Sequence, residues 1–130
     1  MLIDIKISLA MMDLFTGLAP EIKGASFPGS SDRINFSVRE PLGVLARIVP
    51  FNHPMMFTCI KSVAPLIAGN AVILKPSEHT PLSALRIAEL AGNLFPPGIF
   101  NVVNGGRDTG SALSQHPKVR SVSLVGSVPT

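Results

Sequence analysis

The sequence predicts an α/β fold, in which a parallel β-sheet carries helices on both faces and follows an N-terminal helix. The first observation is a set of apolar runs that alternate with helical stretches; the runs cover residues 44–49, 71–74, 99–103 and 122–125. The second is that each run ends in a polar or glycine-rich turn. Because right-handed crossovers return the chain to the same end of a sheet, this alternation predicts parallel strands.

The region before the first of these strands predicts a helix, a loop and a short extended segment. Apolar residues recur at spacings of three and four between residues 3 and 18, which is the pattern of an amphipathic helix. Residues 24–32 are rich in glycine, serine and proline, so we expect a loop there. Residues 34–38 alternate between apolar and polar side chains, which indicates an extended segment.

Proline and glycine mark the limits of the first helix of the alternating region. Pro54 suits the first turn of a helix, where the missing N–H costs nothing. Pro65 lies within the same apolar pattern and should kink the helix. Gly69 then provides a C-terminal stop before the second strand.

Two further helices are predicted between the remaining strands. Thr80 has the side chain of an N-cap, and Pro81 would be the first helical residue after it. Apolar periodicity carries this helix to about residue 94. A shorter helix is expected over residues 109–115, and His116 followed by proline should end it.

Charge and composition argue against nucleic-acid binding and against a membrane span. The net charge is +3, but the eleven lysines and arginines are spread from Lys6 to Arg120 without forming a patch. The sequence has no Trp or Tyr that could stack on bases. No uncharged apolar run reaches the roughly 18 residues that a membrane-spanning helix needs.

The cysteine and histidine residues give no sign of a metal site or of a nucleophile. His53, His79 and His116 lack metal-ligand spacing, so no metal is predicted. Cys59, the single cysteine, excludes an intrachain disulfide and fits a reducing, cytoplasmic location. A nucleophilic Cys59 would need a base such as His53 beside it, but on a helix the two side chains would point roughly 120° apart. We therefore interpret Cys59 as a small buried hydrophobic residue.

The turns after the four strands are expected to lie together at one edge of the sheet. They cover residues 50–54, 75–78, 104–106 and 126–127. Each has an ordinary explanation when taken alone, since Asn52 could serve a turn and Lys75 and Glu78 could form a solvated pair. In parallel sheets, however, ligands bind outside the carboxyl ends of the strands. The four turns together therefore predict a nucleotide-type site.

From about residue 14 to its end, the sequence resembles the aldehyde dehydrogenase superfamily. The resemblance rests on Arg39-Glu40-Pro41-Leu42-Gly43, on Pro50-Phe51-Asn52-His53-Pro54, on Lys75-Pro76-Ser77-Glu78 with the eleven residues before it, and on Phe95-Pro96-Pro97-Gly98. The Asn-x-Pro and Lys-Pro-Ser-Glu segments together are highly specific to that family.

The resemblance implies oxidation of a small-molecule aldehyde to an acid by an NAD-dependent enzyme with a Rossmann-like fold. It divides the chain into an N-terminal helix and loop, residues 1–38, and a partial dinucleotide-binding domain, residues 39–130, with an incomplete sheet. NADP is expected to bind less well, because Glu78 would repel its 2′-phosphate. The resemblance implies that the complete enzyme is a homo-oligomer. The oligomeric state of this chain stays open.

Individual roles also follow from the resemblance. The Asn52 amide falls on the oxyanion-hole donor, Lys75 and Glu78 fall on the groups that bind the adenosine ribose, and Ser127 falls near the cofactor pyrophosphate. The other implied cofactor-binding residues are Ile48, Val49, Pro50, Phe51, Ser77, Gly105 and Gly110. The residues implied for the aldehyde tunnel are His53, Phe57 and Ile60.

The catalytic cysteine and glutamate of the family are expected to lie outside this sequence. Their Gly-Gln-x-Cys and Glu-Leu-Gly-Gly-Lys motifs do not occur in it. We therefore expect the chain to be a portion of the enzyme that is inactive on its own. Two alternatives stay open: a non-catalytic module that binds a nucleotide or a partner protein, and a truncated product without function.

Overall fold

The structure is a computed structural model that describes residues 2–127, and the predicted helix–strand alternation is present in it. The helices are α1 (Leu2–Leu18), α2 (Pro54–Ile67), α3 (Leu82–Ala91) and α4 (Arg107–Gln115), with a 3₁₀ turn at Ala19–Glu21. The strands are β1 (Ala25–Phe27), β2 (Asn35–Ser37), β3 (Val44–Ile48), β4 (Ala71–Lys75), β5 (Phe100–Val102) and β6 (Val119–Leu124). Residues 128–130 of the predicted dinucleotide-binding domain lie outside the described range, as does residue 1.

Four parallel strands form the main sheet in the order β5-β4-β3-β6. The chain moves outward from β3 to β5 and then returns to the other side of β3. With right-handed crossovers, this reversal places α2 and α3 on one face and α4 on the other. The contacts agree, since α2 touches α3 and β4 while α4 touches β6 and β3. The predicted fold class is therefore confirmed.

The core lies around the two central strands. Both faces of β3 and β4 are covered, so each strand contains a pair of adjacent buried residues, Leu45 with Ala46 and Leu74 with Lys75. The buried apolar residues are Leu45, Ala46, Ile48, Val49, Val72, Leu74 and Ala84. Strand β6, at the sheet edge, instead alternates between partly buried and exposed side chains.

The loop predicted over residues 24–32 is partly wrong, because it contains strand β1. This strand pairs antiparallel with β2 in a separate two-stranded sheet, and all six residues of that sheet are exposed. Gly24 packs so closely that an added Cβ would overlap the carbonyl oxygen of Ser37. Pairing with a distant partner forms this strand, and the local composition gives no sign of it.

The N-cap predicted for the helix after β4, which is α3, is also wrong. Thr80 does not cap α3; its hydroxyl donates to the carbonyl of Phe51 at 3.4 Å. The N-cap position falls on Pro81, and no side chain caps the helix. The helix also ends at Ala91 rather than near residue 94. The local sequence assigns the Thr80 hydroxyl to capping, but this hydroxyl instead forms a tertiary hydrogen bond to the turn after β3.

Helix α1 packs along α2 and leaves apolar side chains on its outer surface. Its buried residue is Ser8, at the contact with α2. Leu2, Ile3 and Leu9 are each more than half exposed. Within residues 2–127, no helix is both long enough and apolar enough to cross a membrane.

The junction between α2 and β4 joins the start of the sheet to the end of the helix. Helix α2 continues through Pro65 to Ile67, and Gly69 then turns the chain with a φ of +79°. The buried Asn70 amide completes the junction: its Oδ1 accepts from the Gly43 N–H at 3.0 Å, and its Nδ2 donates to the Pro65 carbonyl at 3.1 Å. A single side chain thus satisfies backbone groups of two elements.

We expect Asn70→Ala to lower the free energy of unfolding by about 1–3 kcal/mol, because buried backbone groups lose their partners. Chemical denaturation followed by circular dichroism would measure it. Asn93→Ala is the control, since the Asn93 side chain is exposed and no hydrogen bond to it is seen within residues 2–127. Equal unfolding free energies for the two variants would contradict this assignment.

Candidate functional site

The carboxyl ends of the four parallel strands lie at one edge of the sheet, as predicted. The Val49 N–H donates to the Lys75 carbonyl at 3.0 Å, and the Val125 N–H donates to the Ile48 carbonyl at 3.0 Å. These bonds extend the strand ladder just beyond β3 and β6. The turns that leave the strands therefore face one another across a single edge of the sheet.

Two adjoining cavities open along this edge, at the point where the strand order reverses. The first has a volume of about 480 Å³ and is lined by Ile48, Lys75, Glu78, Gly106, Arg107, Gly110, Ser111, Ser114 and Leu124. The second has a volume of about 490 Å³ and is lined by Ile48, Val49, Pro50, Phe51, Asn52, Lys75, Ser77, Glu78, His79, Val125, Gly126 and Ser127. The two cavities share Ile48, Lys75 and Glu78, which form the boundary between them.

Lys75 and Glu78 form an ion pair at this shared boundary. The Lys75 side chain is only 7% exposed, its Nζ donates to the Pro76 carbonyl at 3.2 Å, and it lies 3.7 Å from Glu78 Oε2. The Glu78 side chain is 53% exposed, so it faces the cleft. A hydrogen bond from its own backbone amide, followed by the charge of Lys75, holds the pKa of the Glu78 carboxyl below its ordinary value. Glu78 therefore stays negatively charged at neutral pH.

Helix α4 contributes a face of small and polar residues to the first cavity. Arg107, Gly110, Ser111 and Ser114 line it at helical spacings of three and four. A Cβ added at Gly110 would meet only Ile48 Cδ1 at 3.8 Å and Lys75 Cδ at 3.9 Å, so it would project into the space between them. Sequence reasoning missed Arg107, Ser111 and Ser114, although their spacing from Gly110 was a signal that could have found them.

The glycines predicted near this cavity take different positions. Gly110 lines it, whereas Gly105 does not, and its neighbour Gly106 lines it instead. Gly105 has a φ of +149°, and an added Cβ would overlap the Thr109 side chain. Gly105 therefore shapes the turn into α4.

Asn52 lines the second cavity and leaves its side-chain amide available. The residue is exposed, and within residues 2–127 no hydrogen bond to its side chain is seen. The N-cap position of α2 belongs to His53, and no side chain caps that helix. A capping role for Asn52 is therefore excluded, and its N–H groups can donate to a ligand oxygen.

The three residues predicted for an aldehyde tunnel share one face of α2 but line neither of these cavities. His53 Nδ1 is 3.0 Å from Asp4 Oδ1 on α1. Phe57 packs against the core cluster of Val49, Leu74 and Ala84. Ile60 is partly buried. A tunnel role for these residues stays a prediction.

Cys59 lies in a third, apolar groove between α1, α2 and α3, away from the strand ends. The groove has a volume of about 440 Å³, and its lining includes Met12, Val63, Leu66, Ile87 and Phe95. Burial raises the pKa of the Cys59 thiol, while the Ser8 hydroxyl, which makes no well-formed hydrogen bond, partly offsets the rise. Among residues 2–127, no group of three or more metal-binding side chains occurs.

Comparison with known sequences identifies close relatives of one kind. The sequence model described as the aldehyde dehydrogenase family matches residues 1–130. The aldehyde dehydrogenase tropH of Talaromyces stipitatus is 47% identical over 100% of this chain and 26% of its own length. A betaine aldehyde dehydrogenase of Rhizobium etli is 48% identical over 91% of this chain and 24% of its own length. The chain thus spans about a quarter of the curated relatives it matches.

Solved structures give the same result. PnpE from Pseudomonas sp. WBC-3 superposes with a TM-score of 0.87 at 43% identity, over 92% of this chain and 25% of that protein. PnpE has also been solved in complex with nicotinamide adenine dinucleotide. An Escherichia coli NADP-dependent enzyme superposes with a TM-score of 0.86 at 35% identity, over 92% of this chain and 25% of that one.

We expect Cys59 to react slowly with alkylating agents at neutral pH. Its raised pKa favours the neutral thiol, so a smaller fraction of the attacking thiolate forms at neutral pH than for an ordinary cysteine. The rate of iodoacetamide labelling should therefore be several-fold lower than that of free cysteine at pH 7.5 and keep rising past pH 9. The unfolded chain is the control and should react like free cysteine. Labelling of the folded chain that is fast at pH 7 would contradict a partly buried, neutral thiol.

Proposed function

We propose that this chain, which belongs to the aldehyde dehydrogenase family, forms the NAD-binding portion of an enzyme that oxidises an aldehyde to a carboxylic acid. The observation that carries the proposal is the Lys75–Glu78 ion pair at the boundary of two adjoining cavities. These cavities lie at the point where the strand order reverses, which is where open α/β sheets bind dinucleotides.

The residues around the cleft suit a dinucleotide. A cofactor of this type has two nucleoside halves joined by a pyrophosphate, and the cleft offers two cavities of similar size, about 480 and 490 Å³. The missing side chain at Gly110 leaves room in the first cavity between Ile48 and Lys75. The apolar wall and helix face of that cavity suit an adenosine, and its boundary supplies the charged groups for a ribose.

Lys75 and Glu78 are well arranged to bind ribose hydroxyls. The ammonium of Lys75 donates and the carboxylate of Glu78 accepts, so together they match a pair of hydroxyls that can do both. Because Lys75 is buried, its ammonium is held in place before the ligand arrives. Ser77 follows them along the second cavity, and Ser127 at the end of the sheet is close enough to that cavity to approach a pyrophosphate. When bound, NAD supplies the acceptor for the hydride that leaves the substrate.

Asn52 is the residue of this chain that we propose to act on the aldehyde. Its amide, which has no partner among residues 2–127, stands at the carboxyl end of β3, directly before the N-terminus of α2. Donors aimed at a developing oxyanion stabilise the transition state, and the positive end of a helix adds to the effect. Cys59 lies partly buried in a different groove, so we propose that the nucleophile comes from elsewhere in the complete enzyme and that the chain alone is inactive.

The remaining features fit this proposal. Residues 39–130 would be the cofactor-binding portion, and the N-terminal helix with the β1–β2 ribbon a separate element beside it. The free thiol of Cys59 supports a reducing compartment such as the cytoplasm. Relatives named for betaine aldehyde indicate small aldehydes as the substrate class, without selecting one of them.

We expect the chain to bind NAD more tightly than NADP, because the Glu78 carboxylate repels a 2′-phosphate. Titration of both cofactors by calorimetry would measure the preference. Glu78→Gln should improve NADP binding relative to NAD by roughly tenfold. Glu89→Gln is the matched control, since Glu89 also pairs with a cation three residues away, but in α3. Failure of both cofactors to bind would refute the proposed function, whereas tighter binding of NADP would assign Arg107 to the phosphate instead.

We expect Asn52→Ala to reduce kcat by about 10²–10³-fold in a complete enzyme that carries this segment, because an oxyanion donor is lost. The Kd for NAD and the melting temperature should hardly change, since Asn52 caps no helix. Asn104→Ala is the control: Asn104 is also exposed after a strand of the same sheet but lines neither cavity. A normal kcat combined with a lowered melting temperature would show that Asn52 has only a structural role.

A further inference from the structure

One polar side-chain contact connects the N-terminal helix to the turn that carries Asn52. Asp4 Oδ1 lies 3.0 Å from His53 Nδ1, although the residues are 49 positions apart. Within residues 2–127, the four ion pairs of lysine or arginine with a carboxylate join side chains no more than three positions apart and are formed within one turn or helix. The Asp4–His53 contact differs from them because it joins two distant segments of the chain.

Asp4 is unusually well buried for a carboxylate at the start of a helix. Its side chain is 13% exposed, against 46% for His53. A charged group removed from water is costly unless it is paired, and the N-terminus of α1 offsets only part of that cost. The His53 ring is the side chain that satisfies it, so the pair holds both residues in one arrangement.

His53 is restrained on two sides. Its Nδ1 faces Asp4, and its ring meets the edge of Phe57 with centroids 6.5 Å apart at 62°. Its carbonyl accepts the Phe57 N–H at 2.9 Å, which starts α2. The ring does not cap the helix. Its position is consequently determined by α1 and by Phe57.

The turn between β3 and α2 is thus tied at both ends. On one side of Asn52, the Phe51 carbonyl accepts from the Thr80 hydroxyl. On the other side, His53 is held by Asp4. Asn52 itself has no hydrogen bond to its side chain within residues 2–127, so these two tethers restrain the backbone that carries its amide.

We propose that Asp4 is a positioning residue, which acts through His53 to hold the Asn52 amide in place. The inference rests on the proposed function, because it gives Asn52 the role of oxyanion donor. A catalytic group has to be held within about 0.5 Å of its productive position. Misplacement by about 1 Å costs on the order of 10²-fold in rate. Asp4 thereby makes the N-terminal helix part of the active site without touching the substrate.

The test compares three variants of a complete enzyme that carries this segment. Asp4→Ala removes the acceptor and should lower kcat by about tenfold or more, with the Kd for NAD unchanged. Asp4→Asn keeps an oxygen that can accept from His53 Nδ1–H, so most of the activity should remain. Asp13→Asn is the control, because Asp13 is the other carboxylate of α1 and is exposed; its kcat should be normal. A normal kcat for Asp4→Ala would overturn the inference.

A double-mutant cycle separates positioning from a general loss of stability. If Asp4 acts through Asn52, then Asp4→Ala should reduce kcat hardly further in an Asn52→Ala background. Independent, multiplying losses would overturn the inference even if both single variants are slow. Should Asp4→Ala fail to fold, the same cycle is run with His53→Ala, which removes the other partner of the contact.

A measurement that needs no turnover distinguishes this inference from the proposed function. The ¹⁵N order parameter of the Asn52 side-chain amide, measured by NMR in the chain, should fall in Asp4→Ala and stay unchanged in Asp13→Asn. An unchanged order parameter in Asp4→Ala refutes the positioning role, whatever the activity. A wild-type enzyme that oxidises no aldehyde, together with a falling order parameter, refutes the proposed function and leaves the tether standing.

Discussion

The cleft depends on the central position of β3 among parallel strands. Since β3 pairs with β4 on one side and β6 on the other, Ile48 at its end stands beside both Lys75 and Leu124. The reversal of strand order at this point sends α2 and α4 to opposite faces, so their ends cannot close over the sheet edge. A gap remains there, and both cavities occupy it.

Charged side chains are distributed unequally over this gap. The buried Lys75 and the exposed Glu78 nearly cancel at the boundary between the cavities, whereas Arg107 adds a further positive charge to the first one. A nucleotide entering the cleft would meet donors on α4, a balanced pair at the centre and a neutral amide donor at Asn52. The extra positive charge of Arg107 in the first cavity favours an anionic ligand, which agrees with the dinucleotide that we propose.

The site is also held by elements that lie outside the sheet. Asp4 on α1 and Thr80 before α3 both reach the turn after β3, and Asn70 ties the beginning of that strand to the end of α2. Helix α1 accordingly belongs to the structural support of the cleft, even though it lines neither of its cavities. The residues on both sides of Asn52 are thus held by polar contacts to distant segments of the chain.

Much of this organisation followed from the sequence alone, because it depends on local chemistry. Consecutive apolar residues, proline at the start of α2 and glycine before β4 determine where the strands and helices lie. Alternation of the two element types then determines that the strands are parallel and that their following turns share an edge. Asn52, Lys75 and Glu78 could be placed at one edge for that reason, and the roles expected for them came from the resemblance to the aldehyde dehydrogenase family.

Tertiary structure decided the features that depend on partners distant in sequence. Strand β1 exists because β2 pairs with it, and Thr80 gives its hydroxyl to Phe51 instead of to its own helix. Gly105 shapes a turn, while Gly106 and Arg107 line the cavity. Which of these neighbouring residues reaches the cavity depends on the direction of the backbone. The contact between Asp4 and His53 requires two helices to meet, and no local pattern encodes how they do so.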